Sequence, residues 1–332
     1  MGKYIAFRLV LWLKMLNNRT SNFRGEEYEF EHTAWLCEDT GEQFTTDETD
    51  TASFLQVTNQ YRAKYGIPYT DEIISVRKRY GISAAKMSLI LGIGVNQYRL
   101  YEQGEVPSVS NGRMIRSVMN PKVMLEMVES SRNEMSLTDY EKIVNKVKSV
   151  IADSEAYKLG QYESKWLFAV PRGAGNGYAQ QSIDKLKNIL LYFIEKSGGV
   201  FFTKMNKLLF YADFVAYRQT GKGITGLAYK AIQHGPVPVR WDRIYSFYDE
   251  INQEIVQFSD GRAGTKLVSK LSPDMTEFDE DELKVLEFVC ERFKSETPTQ
   301  ISETSHQEEA WKRNIDSDQL INYEMAFTLK AI

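Results

Sequence analysis

The sequence has little of the raw material from which disulfide or metal sites are built. Its 332 residues include two cysteines, Cys37 and Cys290, and three histidines. Two cysteines so far apart along the chain exclude a disulfide framework and a self-contained CxxC zinc site. We therefore expect no metal, no cofactor and a reducing, cytoplasmic environment.

Long hydrophobic runs are also missing. The most apolar stretch, "YIAFRLVLWLKML" at residues 4–16, is interrupted by Arg8 and Lys14 and is followed by no small-residue cleavage site. A membrane-spanning helix needs about 20 apolar residues. We expect neither export nor a membrane role, and interpret this stretch as an amphipathic or poorly defined N-terminal segment.

No strong charge of either sign marks the chain as a whole, whose net charge is −4. Charge is distributed unevenly, however, because residues 26–50 contain ten acids and no Lys or Arg. Residues 71–132 contain nine Lys/Arg against six Asp/Glu. This mildly basic region permits contact with phosphates without demonstrating it.

Motifs of common enzymes are absent as well. The sequence contains no P-loop, no nucleophile elbow and no HExxH. "GAGNG" at 173–177 lacks the preceding strand and following helix that a phosphate-binding loop requires. We predict that the protein is not an enzyme.

The patterns that are present predict an α+β fold that is mainly α, in two or three domains. Residues 26–46 alternate as in a β-hairpin, and residues 71–133 read as a cluster of five short helices. The glycines and proline of 170–181 suggest a linker. The C-terminal half reads as amphipathic helices with a small antiparallel sheet, and Pro238 is expected to open one of the helices. The predicted regions are 1–70 (hairpin and helix), 71–133 (short helices), 134–181 (helix and linker) and 182–332 (C-terminal domain).

Residues 83–103 have the composition of a helix-turn-helix. Gly92 and Gly94 bracket a turn, and Asn96 and Gln97 begin a second helix, where side-chain amides can bond the N6/N7 edge of adenine. Arg99, one turn later, could reach a guanine or a phosphate. We expect Asn96, Gln97, Arg99 and Lys86 to contact DNA; the alternative is a helical bundle with a polar surface helix.

This stretch resembles the repressor type of helix-turn-helix domain. In that type, an acid at the position of Glu102 pairs with an arginine of the first helix, at the position of Arg77, and the exit resembles "GEVPS". "GVNQYRLYEQG" is similar to the DNA-binding domain of MqsA-type antitoxins, which implies that Asn96 reads a base. Those proteins carry an arginine where this chain has Leu100. Their four-cysteine zinc domain is not carried over.

The C-terminal half resembles the Panacea, or SocA-like, antitoxin domain. The similarity lies in "KMNKLLFYADFVAY" (204–217), "AYKAI" (228–232), "HGPVPVRW" (234–241) and the late "TSHQEEAWK" (304–312), within residues 182–330. It implies a type II antitoxin that binds a cognate protein toxin through this domain and controls its operon through the helix-turn-helix domain. Partners implied are the toxin and operator DNA.

Aromatic residues and arginines contribute most of the binding energy at protein interfaces, so we expect residues of these types in the C-terminal domain to bind the toxin. His234 is also more typical of a residue that bridges a turn than of a catalyst, because no carboxylate or nucleophile is adjacent. Two alternatives remain open: a one-component repressor whose C-terminal domain senses a small ligand, and an adaptor for a protease. Repressors of this type bind paired half-sites, so a homodimer is a further expectation. The residues expected to bind the toxin are Tyr211, Tyr217, Arg218, His234, Trp241, Arg243 and Tyr245.

Overall fold

The structure, a computed structural model, describes residues 12–37, 40–153, 162–258 and 261–332, with side chains from residue 18 onward. The chain divides into two compact units. Unit 1 combines residues up to Val57 with Leu167–Ile332, and unit 2 is Thr58–Trp166. The predicted α+β, mainly helical class is confirmed, because helices predominate and the sheets are small and antiparallel.

Unit 1 begins with a long antiparallel hairpin. Strand β1 (Trp12–Phe23) pairs with β2 (Glu26–Cys37) across a two-residue turn, and β3 (Gln43–Phe44) adds to the other edge of β2. Arg24 and Gly25 both have positive φ, as a tight hairpin turn requires. The predicted hairpin over 26–46 is therefore present as β2–β3. Its turn includes residues 38 and 39, which lie outside the described residues.

The interpretation of residues 4–16 as an amphipathic or poorly defined segment is wrong for the part that the structure describes. From Trp12 onward the segment is a β-strand rather than an amphipathic or irregular one; residues 4–11 lie outside the described residues. Its partner strand lies beyond the Arg24-Gly25 turn, and the pairing along twelve residues satisfies the backbone groups on the side of β1 that faces β2. On β2 the predicted alternation holds for Tyr28, His32 and Ala34, which are buried.

The rest of unit 1 packs around one helix that is buried on all sides. This helix, α9 (Phe202–Thr220), follows helix α8 and strand β4 in the chain. The β5–β6 hairpin, the strands β7 and β8 that pair with β4 in one sheet, and short C-terminal helices come after it. Every residue of α9 from Met205 to Tyr217 is buried. The bounds are α8 Ile183–Ser197, β4 Val200–Phe201, α9 Phe202–Thr220, β5 Tyr229–Ile232, β6 Gly235–Pro238, α10 Trp241–Phe247, β7 Asn252–Gln257, β8 Ala263–Val268, α11 Glu280–Phe293, α12 Pro298–Ser305 and α13 Glu309–Lys312.

Two expectations for this region are wrong. Pro238 ends strand β6 instead of opening a helix, and α10 begins at Trp241. Residues 170–181 are not an open linker, because Asn176 is fully buried and its amide donates to the carbonyls of Ala179 and Gly226. Gly177, with a φ of +60°, allows a tight turn inside the unit, a use of glycine that composition alone does not distinguish from flexibility.

Unit 2 is helical, and two of its helices begin at residues that are typical of helix N-termini. Pro121 occupies the first turn of its helix, and Ser83 caps another by accepting the Lys86 N–H. The core is formed by residues such as Ile73, Met87 and Tyr98. The bounds are α2 Thr70–Tyr80, α3 Ala84–Ile90, α4 Gln97–Glu102, α5 Val109–Ser117, α6 Pro121–Ser130 and α7 Leu137–Ala152; helix α1, Asp47–Tyr65, begins in unit 1 and ends in unit 2. Over the part of the chain described, no helix combines the length and the apolar character needed to cross a membrane.

Candidate functional site

Helices α3 and α4 are joined by a short turn whose backbone is fixed by specific hydrogen bonds. Gly92 adopts a φ of +63°, which a residue with a side chain rarely does. Ser88 Oγ of α3 accepts the Tyr98 N–H at 3.1 Å, which satisfies one of the donors left open at the start of α4. Tyr98 is fully buried, and its hydroxyl donates to the Ile73 carbonyl at 2.7 Å. The orientation of α4 on α3 is therefore firmly held.

An ion pair secures the far end of α4. Arg77 Nε donates to Glu102 Oε1 at 2.6 Å, and Arg77 also donates to the Ile82 carbonyl at 2.9 Å. Both side chains are largely buried. The structure thus brings together the two residues that the sequence resemblance paired, although they lie 25 positions apart.

The four residues expected to contact DNA are in two different situations. Asn96 and Arg99 are exposed on α4, and neither side chain forms a hydrogen bond with another described residue. Gln97 Nε2 instead donates to Glu105 Oε1 at 3.1 Å. Lys86 Nζ lies 2.8 Å from Asp139 Oδ2. Asn96 and Arg99 are free to meet a ligand, whereas Gln97 and Lys86 must first release an intramolecular partner.

The two units differ in net charge. Unit 2 carries sixteen Lys/Arg and twelve Asp/Glu, a net charge of +4. Because the whole chain has a net charge of −4, unit 1 carries −8. A positive unit inside an acidic chain concentrates the attraction for anionic partners in unit 2.

In unit 1, the tip of the β5–β6 hairpin is held by side chains from three helices. Trp311 Nε1 donates to the Ile232 carbonyl at 2.8 Å, and Ser302 Oγ donates to the His234 carbonyl at 2.8 Å. Lys207 Nζ donates to the Pro236 carbonyl at 2.9 Å. Three carbonyls of this hairpin are thus each bound by a side chain from another element.

The two residues at the tip itself point outward. Gln233 and His234 are exposed, and the scaffold holds this pair through the backbone carbonyl of His234. Next to them, the His306 ring stacks on the half-buried Trp311, with ring centroids 4.1 Å apart. Burial, together with the charges of Lys207 and His234, lowers the pKa of His306. His234 itself bridges nothing through its imidazole; Ser302 holds its backbone.

Lys207 is the unusual member of this group, since it is fully buried on α9. Burial lowers the pKa of Lys207 to about 7. Gly235 passes directly over it with a φ of +100°, and a Cβ there would overlap Ser305 Oγ and Lys207 Cε. The glycine is required here because both the backbone conformation and the close approach exclude a side chain.

Burial corrects part of the predicted set of toxin-binding residues. Tyr211, Tyr217 and Tyr245 are 0%, 6% and 1% exposed, so they cannot serve as exposed anchors of an interface. The hydroxyl of Tyr211 donates to Glu308 Oε1, and that of Tyr245 donates to Asn206 Oδ1. Periodicity did not reveal this burial, because polar residues such as Asn206, Lys207 and Asp213 interrupt the apolar pattern of α9 and are themselves buried. Of the remaining four, His234 and Arg243 are exposed, whereas Arg218 and Trp241 are partly buried.

Two buried charged networks were not foreseen. Asp213 is fully buried and accepts the N–H groups of Ile224 and Thr225 and the hydroxyl of Tyr229. Burial raises the pKa of Asp213, whereas these hydrogen bonds act to lower it. The network fixes the loop after α9, which is a structural role. The second network is the Lys185–Glu282 ion pair, with an N–O distance of 2.6 Å.

A cavity of about 590 Å³ lies beside the N-terminal sheet of unit 1. Apolar walls come from Trp35 and Phe44, which pair across β2 and β3. Arg218 from the end of α9 also lines it, and the Arg218 side chain donates to the Ile332 carbonyl at 3.1 Å. The other lining residues are Thr33, Thr46, Glu48, Thr49, Ala52, Gln219, Thr220 and Asp281.

The side chains that hold the hairpin tip lie within a stretch of the chain that matches a known protein family. Residues 205–312 match the family model described as Antitoxin SocA-like, Panacea domain. The matched Panacea region covers about a third of the chain and includes Lys207, Gly235, Ser302 and Trp311. The resemblance seen in the sequence is confirmed over these residues, and the match indicates an antitoxin role. No curated protein and no solved structure matches the chain.

Proposed function

We propose that this protein is an antitoxin that neutralises a protein toxin by direct, non-covalent binding and represses its own operon. The observation that carries the proposal is the match of residues 205–312 to the SocA-like antitoxin family. In this proposal the Panacea region binds the toxin, and the α3–α4 pair acts as a helix-turn-helix that binds operator DNA. The role is regulatory and not enzymatic.

The hairpin tip is the surface we propose for toxin contact. Its backbone is fixed before binding by the bonds from Trp311, Ser302 and Lys207, so less ordering entropy is lost on association than with a mobile loop. Gln233 and His234 are exposed at its end, beside the half-buried Trp311 ring. Tryptophan is among the residues most enriched at interface hot spots.

The proposed operator contacts are those of Asn96 and Arg99. An asparagine amide matches the N6/N7 edge of adenine, and an arginine matches O6/N7 of guanine. The free side chains on α4, the Arg77–Glu102 pair and the net charge of unit 2 support this assignment. Asn96→Ala should weaken operator binding by about 1–3 kcal/mol and relax the sequence preference at one base pair.

Co-expression with the product of the adjacent gene tests both halves of the proposal. The full-length protein should restore growth when that product is toxic, and the Gln233→Ala/His234→Ala double variant should lose rescue. An Asn96→Ala/Arg99→Ala double variant should still rescue growth but should no longer repress a reporter driven by the protein's own promoter. Persistent toxicity with the full-length protein would refute the antitoxin assignment.

Each double variant is the matched control for the other. The tip variant should retain promoter repression and the α4 variant should retain rescue, which shows that each variant protein is produced and has lost one activity only. Point variants are preferred to a truncation at residue 170, because residues up to Val57 belong to the same unit as Leu167–Ile332. Such a truncation would remove part of the unit it is meant to isolate.

The cavity favours one alternative, a repressor that senses a small ligand. Its volume of about 590 Å³ falls in the range of ligand sites, roughly 300–1,000 Å³. Native mass spectrometry of the protein purified from its own cells tests this alternative. A bound small molecule that is lost in a Trp35→Ala variant would support it, and a ligand-free mass would count against it.

A further inference from the structure

Two large apolar side chains are exposed on the same surface as the free Asn96 and Arg99. Val95 is 78% exposed and Leu100 is 37% exposed. Positions 96, 99 and 100 are separated by three and four residues, which places them on one face of a helix. Val95 immediately precedes this face. A polar surface with exposed guanidinium and amide groups thus also presents two apolar side chains.

The core does not need these side chains. The buried side of α4 is formed by Tyr98 and Tyr101, which are 0% and 3% exposed. The turn before α4 is held by backbone bonds, including Gln97 N–H to the Gly94 carbonyl at 2.8 Å. A polar residue at 95 or 100 would leave these contacts unchanged. Packing within unit 2 therefore gives no reason for valine and leucine at these two positions.

The charges around them favour a nucleic acid as the occupant of this face. Asn96 and Arg99 are exposed and form no hydrogen bond with other described residues. Unit 2 carries a net charge of +4 in a chain whose net charge is −4. On the floor of the DNA major groove, the exposed apolar group is the C5 methyl of thymine.

We propose that Val95 and Leu100 are specificity-determining residues that contact the C5 methyl groups of thymines next to the base pair bound by Asn96. The proposal rests on operator binding by α4, and it adds a base preference that polar contacts alone do not supply. Each contact removes one methyl group and part of one apolar side chain from water. The operator should therefore contain thymine at these positions.

The test uses the full-length protein and its own promoter DNA. Footprinting first locates the operator, and each thymine in it is then replaced singly by deoxyuridine, which removes only the C5 methyl. Fluorescence anisotropy should show a loss of affinity of about three- to fivefold at one or two positions, the factor that corresponds to one buried methyl group. In Val95→Ala or Leu100→Ala, one of these positions should become insensitive to deoxyuridine.

Leu137→Ala is the matched control, because Leu137 is also exposed in unit 2, at 60%, but lies outside α4. It should retain the deoxyuridine pattern of the unmodified protein. If the protein binds its operator and no deoxyuridine changes the affinity, the thymine proposal is wrong while operator binding stands. If the sensitive positions persist in both alanine variants, Val95 and Leu100 are not the readers. If no promoter fragment is bound, both proposals fall.

Discussion

Replacing Lys207 with methionine should change how the stability of unit 1 depends on pH. The Lys207 side chain is fully buried, and its Nζ donates to the Pro236 carbonyl at 2.9 Å. Burial lowers the pKa of Lys207 from 10.5 to about 7. Methionine has a similar length and no charge, so Lys207→Met removes the titration with little change in volume.

The sign of the effect follows from the direction of the pKa shift. Between about pH 7 and pH 10.5, the unfolded chain holds a proton on Lys207 that the folded chain has released. The free energy of unfolding therefore rises with pH in this window and is lower at and below pH 7. A full one-proton difference is worth about 1.4 kcal/mol per pH unit, so the rise from pH 7.5 to 9.5 is about 2.5 kcal/mol.

Urea unfolding at pH 7.5, 8.5 and 9.5, followed by tryptophan fluorescence, measures this difference. Loss of the bond to Pro236 lowers the free energy of unfolding of Lys207→Met by an amount that is nearly independent of pH. The prediction is therefore tested by how this free energy changes with pH. The unmodified protein should gain about 2.5 kcal/mol over the variant across this range. The exposed Lys270→Met is the control and should follow the unmodified protein. Parallel pH profiles for the protein and Lys207→Met would refute a neutral buried lysine.

Substitutions in two buried polar pairs, Lys185–Glu282 and Ser88–Tyr98, give further predictions about stability. Glu282→Gln leaves the buried Lys185 ammonium without its carboxylate partner at 2.6 Å, and should lower the free energy of unfolding by about 3–5 kcal/mol in urea titrations. The double variant Lys185→Met/Glu282→Leu should recover most of that loss, and a double variant as unstable as Glu282→Gln would contradict this account. Ser88→Ala removes the acceptor of the Tyr98 N–H and should destabilise unit 2 by about 1–3 kcal/mol. Unchanged amide exchange at Tyr98 would show that the bond contributes nothing.

Local signals in the sequence mark several helix boundaries. Ser83, Pro121 and the capping box of Asp279 with Glu282 each begin a helix in the structure, because these residues satisfy backbone groups within one turn of themselves. The same is true of Gly221, which ends α9 in the left-handed conformation. Such preferences depend on neighbours in the chain, so they can be recognised from the sequence without knowledge of the tertiary structure.

Contacts distant in sequence were the source of the errors. Strand β1 was missed because its assignment depends on pairing with β2. Pro238 was assigned to a helix, although it faces Tyr229 in the β5–β6 ladder. In the candidate site, the exposed positions of α4 could be predicted from periodicity, but the bonds that occupy Gln97 and Lys86 could not. Their partners, Glu105 and Asp139, are set by packing that the sequence pattern does not encode.

The anchoring of the hairpin tip separates the residues that build the surface from those displayed on it. The bonds from Trp311, Ser302 and Lys207 end on backbone carbonyls, which every amino acid possesses. Gln233 and His234 can therefore be exchanged for other side chains without the loss of a single one of these bonds. Under the toxin contact proposed above, a scaffold of this kind would let selection alter the recognised partner at two positions while the fold stays constant, a useful property where the bound protein itself evolves quickly.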